Sequence, residues 1–343
     1  MKKLIVTLLL IAFTGLLAAG FLAFQLFEKP NVTTNGKSKA YLYIRTGSSL
    51  QDVQKALQHH GFLKHPKLFA WAAQLLHYER SIKPGKYELL AGMNNRDLIS
   101  FLSSGMQTPV KISFQNIRTQ QQLVERVYNA LEADSLSLRK LLHDKTLLSE
   151  SGHDPSNVMS LFVSGTFEFQ WNTSAEQFIK RMQQEYRAFW NAERKQAANK
   201  MGLDPKEVTI LASIVQLETS KEDERSTIAG VYLNRYRKNW KLEADPTLVF
   251  ASGDFQARRI LNEHKAVDSP YNTYKNFGLP PGPICIPSCN AVDAVLENKQ
   301  HAYMFFCAKE DFSGYHNFAV NYSEQQRNAR KFHQALNKRN IKS

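Results

Sequence analysis

Cysteine is scarce in this chain: 343 residues carry three, Cys285, Cys289 and Cys307. An odd number cannot all pair within one chain, and so few thiols in so long a sequence exclude a disulfide scaffold. Cys285 and Cys289 have the spacing of half a zinc site, but no second Cys or His pair completes it, so no metal is expected. Negative charge is also short, with 31 acidic residues against 44 basic ones and a net charge of +13. The lysines and arginines are nevertheless scattered. There is no basic helix, zinc-finger spacing or aromatic-glycine RNA motif, so nucleic acid is not the expected partner. Positive charge facing an anionic membrane surface or an anionic cell-wall polymer accounts for the excess more simply, with a plain solubility role as the alternative. Internal repeats and low-complexity tracts are missing too.

Charge is absent altogether from Leu4 to Phe27, where Gln25 is the only amide. About 20 apolar residues cross a bilayer as a helix, and this run exceeds that. The alternative is a cleaved signal peptide with Ala18-Ala19-Gly20 as its small-residue site. The apolar run continues beyond that site, however, and signal cores span only ~7–15 residues. No cysteine follows to carry a lipid. The reading is a cytoplasmic tail at 1–3 and a single membrane helix at 4–27, with Lys2 and Lys3 holding the amino terminus inside. The rest of the chain then lies outside the cytoplasm, on the outer face of the cell (inner) membrane.

Residues 28–39, rich in Pro, Asn, Gly and Lys, read as a linker. A mixed module follows over 40–107. It comprises a strand at Ala40–Arg45, a helix carrying Leu50, Val53, Ala56 and Leu57, a helix over about Lys67–His77, a strand at Lys86–Leu90 and a short helix stopped by Gly105. The larger region, 108–343, opens on an alternating strand at Val110–Phe114. Helices are expected around Gln120–Glu132, Ser135–His143, Ala175–Ala198, Pro205–Glu218 and Ser226–Lys238, and late strands at Ala302–Ala308 and Tyr315–Ala319. The fold class is α+β.

Glu218 is the most informative residue. It ends the apolar run Val208-Thr-Ile-Leu-Ala-Ser-Ile-Val-Gln-Leu and opens a polar one. A carboxyl group set against apolar neighbours holds its proton above the ordinary ~4.3, which suits a general acid for glycosidic bond cleavage. The plainer alternative is a solvated helix end. Around it come Thr219, Asn234-Arg235, Asp245-Pro246-Thr247, the loop Pro270-Tyr271-Asn272-Thr273-Tyr274, and Gly278-Leu279-Pro280-Pro281-Gly282-Pro283-Ile284. Singly these are a cap, a surface loop and a stiff connector. Together they are the materials of a carbohydrate cleft: flat aromatic faces, amides for hydroxyls and rigid walls.

The segments Ala212–Thr219, Asn234-Arg235, Asp245–Thr247, Tyr271–Tyr274 and Gly278–Ile284 come in the order found in the endolytic murein transglycosylase family, the YceG-like proteins, which this chain resembles over nearly all its length after the apolar run. The resemblance implies a small LysM-like βααβ module over 40–107 and a mixed α+β lytic transglycosylase domain over 108–343, its core at about 162–340. It puts the catalytic glutamate on Glu218. It puts substrate contacts on Gln216, Thr219, Asn234, Asp245, Thr247, Tyr271, Asn272, Thr273, Tyr274, Leu279, Pro280, Pro281 and Gly282. The implied substrate is the glycan strand of peptidoglycan, with no cofactor and with glycan synthases as neighbours. Two departures stand out. A commonly acidic position is Gln216 here, so the raised proton affinity of Glu218 must come from burial. An upstream Pro-Asp/Asn-Thr-Tyr element is replaced by Ser164-Gly165-Thr166-Phe167. Two rivals follow: a hydrolysing muramidase using Asp245 as a second carboxylate, and a non-catalytic wall-binding scaffold.

Overall fold

The computed structural model describes residues 2–257 and 260–339. The chain falls into two compact units, one built mainly from residues up to Lys111 and the other mainly from Ile112 onward. Short returns at Ala130–Ala133 and Glu168–Ser174 belong to the first.

The first unit begins with α1 (Lys2–Ala23), which is exposed along its length and continues through a π-helical turn at Phe24–Glu28. By length and composition this helix is apolar enough to cross a membrane. Then come β1 (Ala40–Ile44), α2 (Leu50–His59), α3 (Pro66–Leu75), β2 (Gly85–Leu89) and α4 (Asn95–Ser104). β1 and β2 pair antiparallel, from Ala40 opposite Leu89 to Ile44 opposite Gly85. The helix starts follow local chemistry: Ser49 and Asp52 form a capping box on α2, Pro66 opens α3, and Asn94 caps α4. Leu42, Leu57, Phe69, Tyr78, Tyr87 and Leu98 meet in the core.

The segment read as a linker is not free at its start. Val32 is buried, and Pro30 and Val32 form bridges to Asn94 and Leu63. The cause is a pair of buried amides. Asn31 donates to Asn95 Oδ1 at 2.7 Å and accepts from the His65 backbone at 2.6 Å, and Asn95 donates to the Leu26 carbonyl at 2.7 Å. Buried amides need such partners, and these lie 34 to 69 residues away, beyond the reach of local pattern.

In the remaining chain, β3 (Val110–Ser113) pairs with β4 (Thr166–Phe169), and α5 (Gln120–Tyr128), α6 (Ser135–Leu141) and α7 (Lys145–Ser149) lie between them in sequence. The helix expected over 175–198 is two helices, α8 (Ala175–Phe189) and α9 (Ala192–Lys200). Asn191 turns its side chain to the Arg194 amide and caps α9, while Trp190 is buried at the break. A capping amide and an anchored indole here outweigh continuity of the helix.

Next come α10 (Pro205–Glu218), α11 (Arg225–Arg237), α12 (Asp245–Ser252), α13 (Asn262–Ala266) and α14 (Cys289–Leu296). The hairpin β5 (Phe305–Ala308) and β6 (His316–Ala319) follows, and α15 (Tyr322–Lys338) closes the described chain. α10 is the axis of this unit. Asp204 and Glu207 form its capping box, Pro205 is its first residue, and Val208 to Val215 are all buried. A helix apolar on every side belongs in a core, and α11, α12 and α14 pack around it.

Candidate active site

The fully buried run of α10 carries the chain to Leu217 and Glu218, where the helix ends and Thr219 turns extended. Thr219 itself is buried and its hydroxyl accepts the Lys221 amide at 2.9 Å, fixing the exit from the helix. Glu218 is half-buried and opens onto two adjoining clefts that share Leu217 and Glu218 as a common wall. The first cleft, about 350 Å³, has Arg118, Asp245, Pro246, Val249 and Phe255 on its walls. The second, about 480 Å³, has Asn116, Ser164, Gln216, Thr219, Arg225 and Ile286 among its lining residues. The glutamate therefore sits where a groove passes from one side to the other.

One partner holds its carboxyl group. The Tyr232 hydroxyl, from α11, donates to Glu218 Oε1 at 2.5 Å. Burial pushes the Glu218 carboxyl up to about 7, mainly because the surrounding side chains replace water. The Tyr232 hydrogen bond pulls the other way, since it stabilises the carboxylate. Asp245 adds a smaller upward push as a like charge, and Arg235 a smaller downward one. Burial is thus the first cause, and the nearby carboxylate contributes as well. Tyr232 is fully buried and its own ionisation is pushed far out of range.

The sequence-expected contacts divide sharply. Gln216 lines the second cleft, but its side chain ties two segments together: Oε1 accepts the Ser288 amide at 2.6 Å and Nε2 points at Cys285 Sγ at 3.9 Å. Asp245, exposed at the start of α12, accepts the Tyr274 hydroxyl at 2.6 Å and does not cap its helix. Tyr271 packs its ring on Phe250 with centroids 4.7 Å apart. The others face inward. Asn234 gives its amide to the carbonyls of His301 and Tyr303, at 2.8 and 3.0 Å. Thr247 and Thr273 share a buried hydrogen bond of 2.8 Å, and Thr273 also accepts the Ala244 amide. Asn272 is wholly buried and braces its own loop through Lys265 and Val267.

The Leu279–Gly282 stretch alternates partly buried and buried residues. Pro280 and Gly282 are buried, and a Cβ at Gly282 would collide with the Ser156 carbonyl. Just beyond it, the Ile284 amide donates to Ser213 Oγ of α10 at 3.0 Å. In the departing element, Ser164 lines the second cleft, Gly165 accepts the Phe114 amide, and Phe167 lies with its ring 5.7 Å from that of Phe114.

Sequence reasoning missed Tyr232 and, on the first cleft's wall, Arg118, Val249 and Phe255. A buried tyrosine usually finds a partner for its hydroxyl, so a lone tyrosine in the apolar run of α11 was the available signal. Arg118 and Phe255 are remote from every motif and carried none.

The profile of the YceG-like family matches residues 42–331. An endolytic murein transglycosylase of Streptococcus pneumoniae is 27% identical over 336 residues, covering 87% of this chain, which spans 60% of that protein's length. The endolytic murein transglycosylase of Bacillus subtilis is 27% identical over 304 residues, covering 82% of this chain and 81% of its own. The crystal structure of a yceG-like protein from Listeria monocytogenes shares the fold with a TM-score of 0.57 at 24% identity. The match covers 85% of this chain and 99% of that one.

Proposed function

Because the chain belongs to the YceG-like family, we propose that it is a membrane-anchored lytic transglycosylase that cuts the β-1,4 bond between N-acetylmuramic acid and N-acetylglucosamine in peptidoglycan. The observation that carries this reading is a single carboxyl group, Glu218, raised to about 7 at the meeting point of two clefts. An acid poised near the working pH can both give and take a proton.

In this mechanism protonated Glu218 gives its proton to the glycosidic oxygen as the bond to the muramic anomeric carbon breaks. The resulting carboxylate, with Tyr232 donating to Oε1, takes the proton of the muramic 6-hydroxyl. That oxygen closes on the anomeric carbon and leaves a 1,6-anhydro end. No water and no cofactor enters the balance. The internal nucleophile gains from proximity, an advantage of about 7–11 kcal/mol in well-oriented systems. A groove open on both sides of Glu218 suits cleavage within a strand. The strand–helix–helix–strand order of 40–89 supports a LysM-like module, and the apolar helix with Lys2 and Lys3 before it supports a single-pass anchor with the amino terminus in the cytoplasm. An enzyme so anchored meets new strands as they leave a glycan synthase, its expected neighbour, and would end their elongation.

Asp245 in the same cleft favours one other reading, hydrolysis with two carboxylates. Digestion of purified sacculi by the full-length chain, followed by mass analysis of the released ends, tests both. Anhydro ends that disappear with Glu218→Gln are expected. Reducing ends, heavier by one water, would establish hydrolysis instead.

A further inference from the structure

Arg118 has no role in the reading above, yet it lines the first cleft together with Glu218. Its position is fixed from behind. The carbonyl of its neighbour Ile117 accepts the Ile286 amide at 2.8 Å, and the Arg118 amide donates to Gln122 Oε1 at 2.8 Å. The guanidinium lies 5.3 Å from the centre of the Phe255 ring. Among the described residues it has no carboxylate or carbonyl partner. A planar cation presented on an aromatic face, with its donors unspent, is suited to a carboxylate, which it can take through two parallel hydrogen bonds.

The surroundings narrow the ligand. Pro246, Val249, Phe255 and Ile260 give this cleft an apolar wall; the second cleft mixes amides and hydroxyls with Leu217, Ile286, Glu222 and Arg225, and the Arg225 guanidinium is already engaged by Glu222 and Asn290. The carboxylates facing Arg118 in the first cleft are Glu218 and Asp245, and Tyr274 already donates to the latter.

We infer that the Arg118–Phe255 wall is a subsite for a substrate carboxylate, carried on the substituent of the sugar that Glu218 cuts. This rests on the proposed reading of Glu218 and gives the groove a direction: the carboxyl-bearing sugar on the Arg118 side, the neutral sugar towards Gln216 and Asn116. The carboxylate has two sources, the lactyl arm of a stem-free muramic residue or the acidic peptide attached to that arm.

The test is equilibrium binding to the full-length chain in detergent, with Glu218→Gln present so that ligands are not consumed. The ligands are muramyl oligosaccharides with free lactyl carboxyls, the same oligosaccharides with those carboxyls amidated, and peptide-bearing ones with and without amidation of the peptide. Free carboxylates should bind about ten-fold tighter than amides, the scale of a charge-assisted hydrogen bond. Adding Arg118→Gln should remove that preference, while Arg118→Lys should keep part of it. Whichever carboxylate carries the preference identifies the source. The inference is overturned if amidation changes nothing, if Arg118→Gln weakens acid and amide forms equally, or if neither form binds. Failure of the lytic reading is a separate result: no anhydro ends from the wild-type chain on sacculi while the carboxylate preference persists.

Discussion

Two buried polar links, one in each unit, are built from similar parts and do opposite things. In the first unit Asn31 and Asn95 join the segment after the apolar helix to α3 and α4, and their amides are spent on protein partners. In the second, Tyr232 holds Glu218 by one oxygen while the carboxyl keeps an open side on the groove. Neither amide can titrate, so the first link only fastens chain to chain. The second contains an acid whose burial raises its proton affinity and whose exposure lets it use the proton. A polar group becomes chemistry when it is both displaced from its ordinary pKa and left accessible.

The largest test of this contrast is Glu218→Gln. Lytic activity on sacculi should fall by about a thousand-fold or more. Stability should move the other way. Burial raises Glu218 from 4.5 to about 7, so the folded state binds its proton more tightly than the unfolded one. The folded protein is favoured below pH 4.5 and loses that advantage as pH rises through 7. Glu218→Gln should therefore melt higher than wild type at pH 8, by about 2 kcal/mol or less, and show little difference at pH 4. Equal melting at both would mean the acid is not held in an unfavourable setting.

Asn95→Ala should act on the other link alone. It takes the Asn95 donor from the Leu26 carbonyl and leaves the Asn31 amide only the His65 carbonyl, at a cost of about 1–3 kcal/mol in denaturant unfolding, and leaves the pH profile of lysis where it was. A displaced profile would show that the two links are not independent.

His153 gives a control away from the groove. It is buried among Tyr186 and Ser151, and burial pushes it from 6.5 down to about 4. Its contribution is intact above pH 6.5 and is lost as pH falls towards 4, because the unfolded chain takes up the proton first. Thermal melts should show His153→Leu narrowing the stability gap between pH 7 and pH 5 by about 1–2 kcal/mol.

The smallest effect belongs to Tyr232→Phe. Removing the donor to Glu218 should lower kcat about ten-fold and move the alkaline limb of kcat upward, since the lost bond favoured the carboxylate. An unmoved limb with unchanged kcat would make Tyr232 a packing residue only.

Some of this was legible in sequence because it is local. The apolar run of α10, its Asp204–Glu207 cap and its end at Glu218 are contiguous, and so are the strands of the β1–β2 pair. The family motifs also gathered near Glu218, but they could not say which way each side chain turns. Asn234, Thr247, Asn272 and Thr273 have the chemistry to bind a sugar and the chemistry to brace a loop, and their hydrogen bonds go to protein. The break at Trp190 was hidden for a related reason. Helical periodicity runs across it, and only the burial of the indole and the Asn191 cap stop the helix there.

The sequence by itself determined the apolar anchor candidate, the two-part layout and the acid at the end of a buried helix, because periodicity, caps and charge pattern act over neighbouring residues. Only the tertiary structure decided the partners of that acid. Tyr232 reaches it from 14 residues away, and Arg118 and Phe255 meet it in one cleft from opposite ends of the sequence around it. Hydrogen bonding and desolvation depend on distance in space, and no local pattern encodes that.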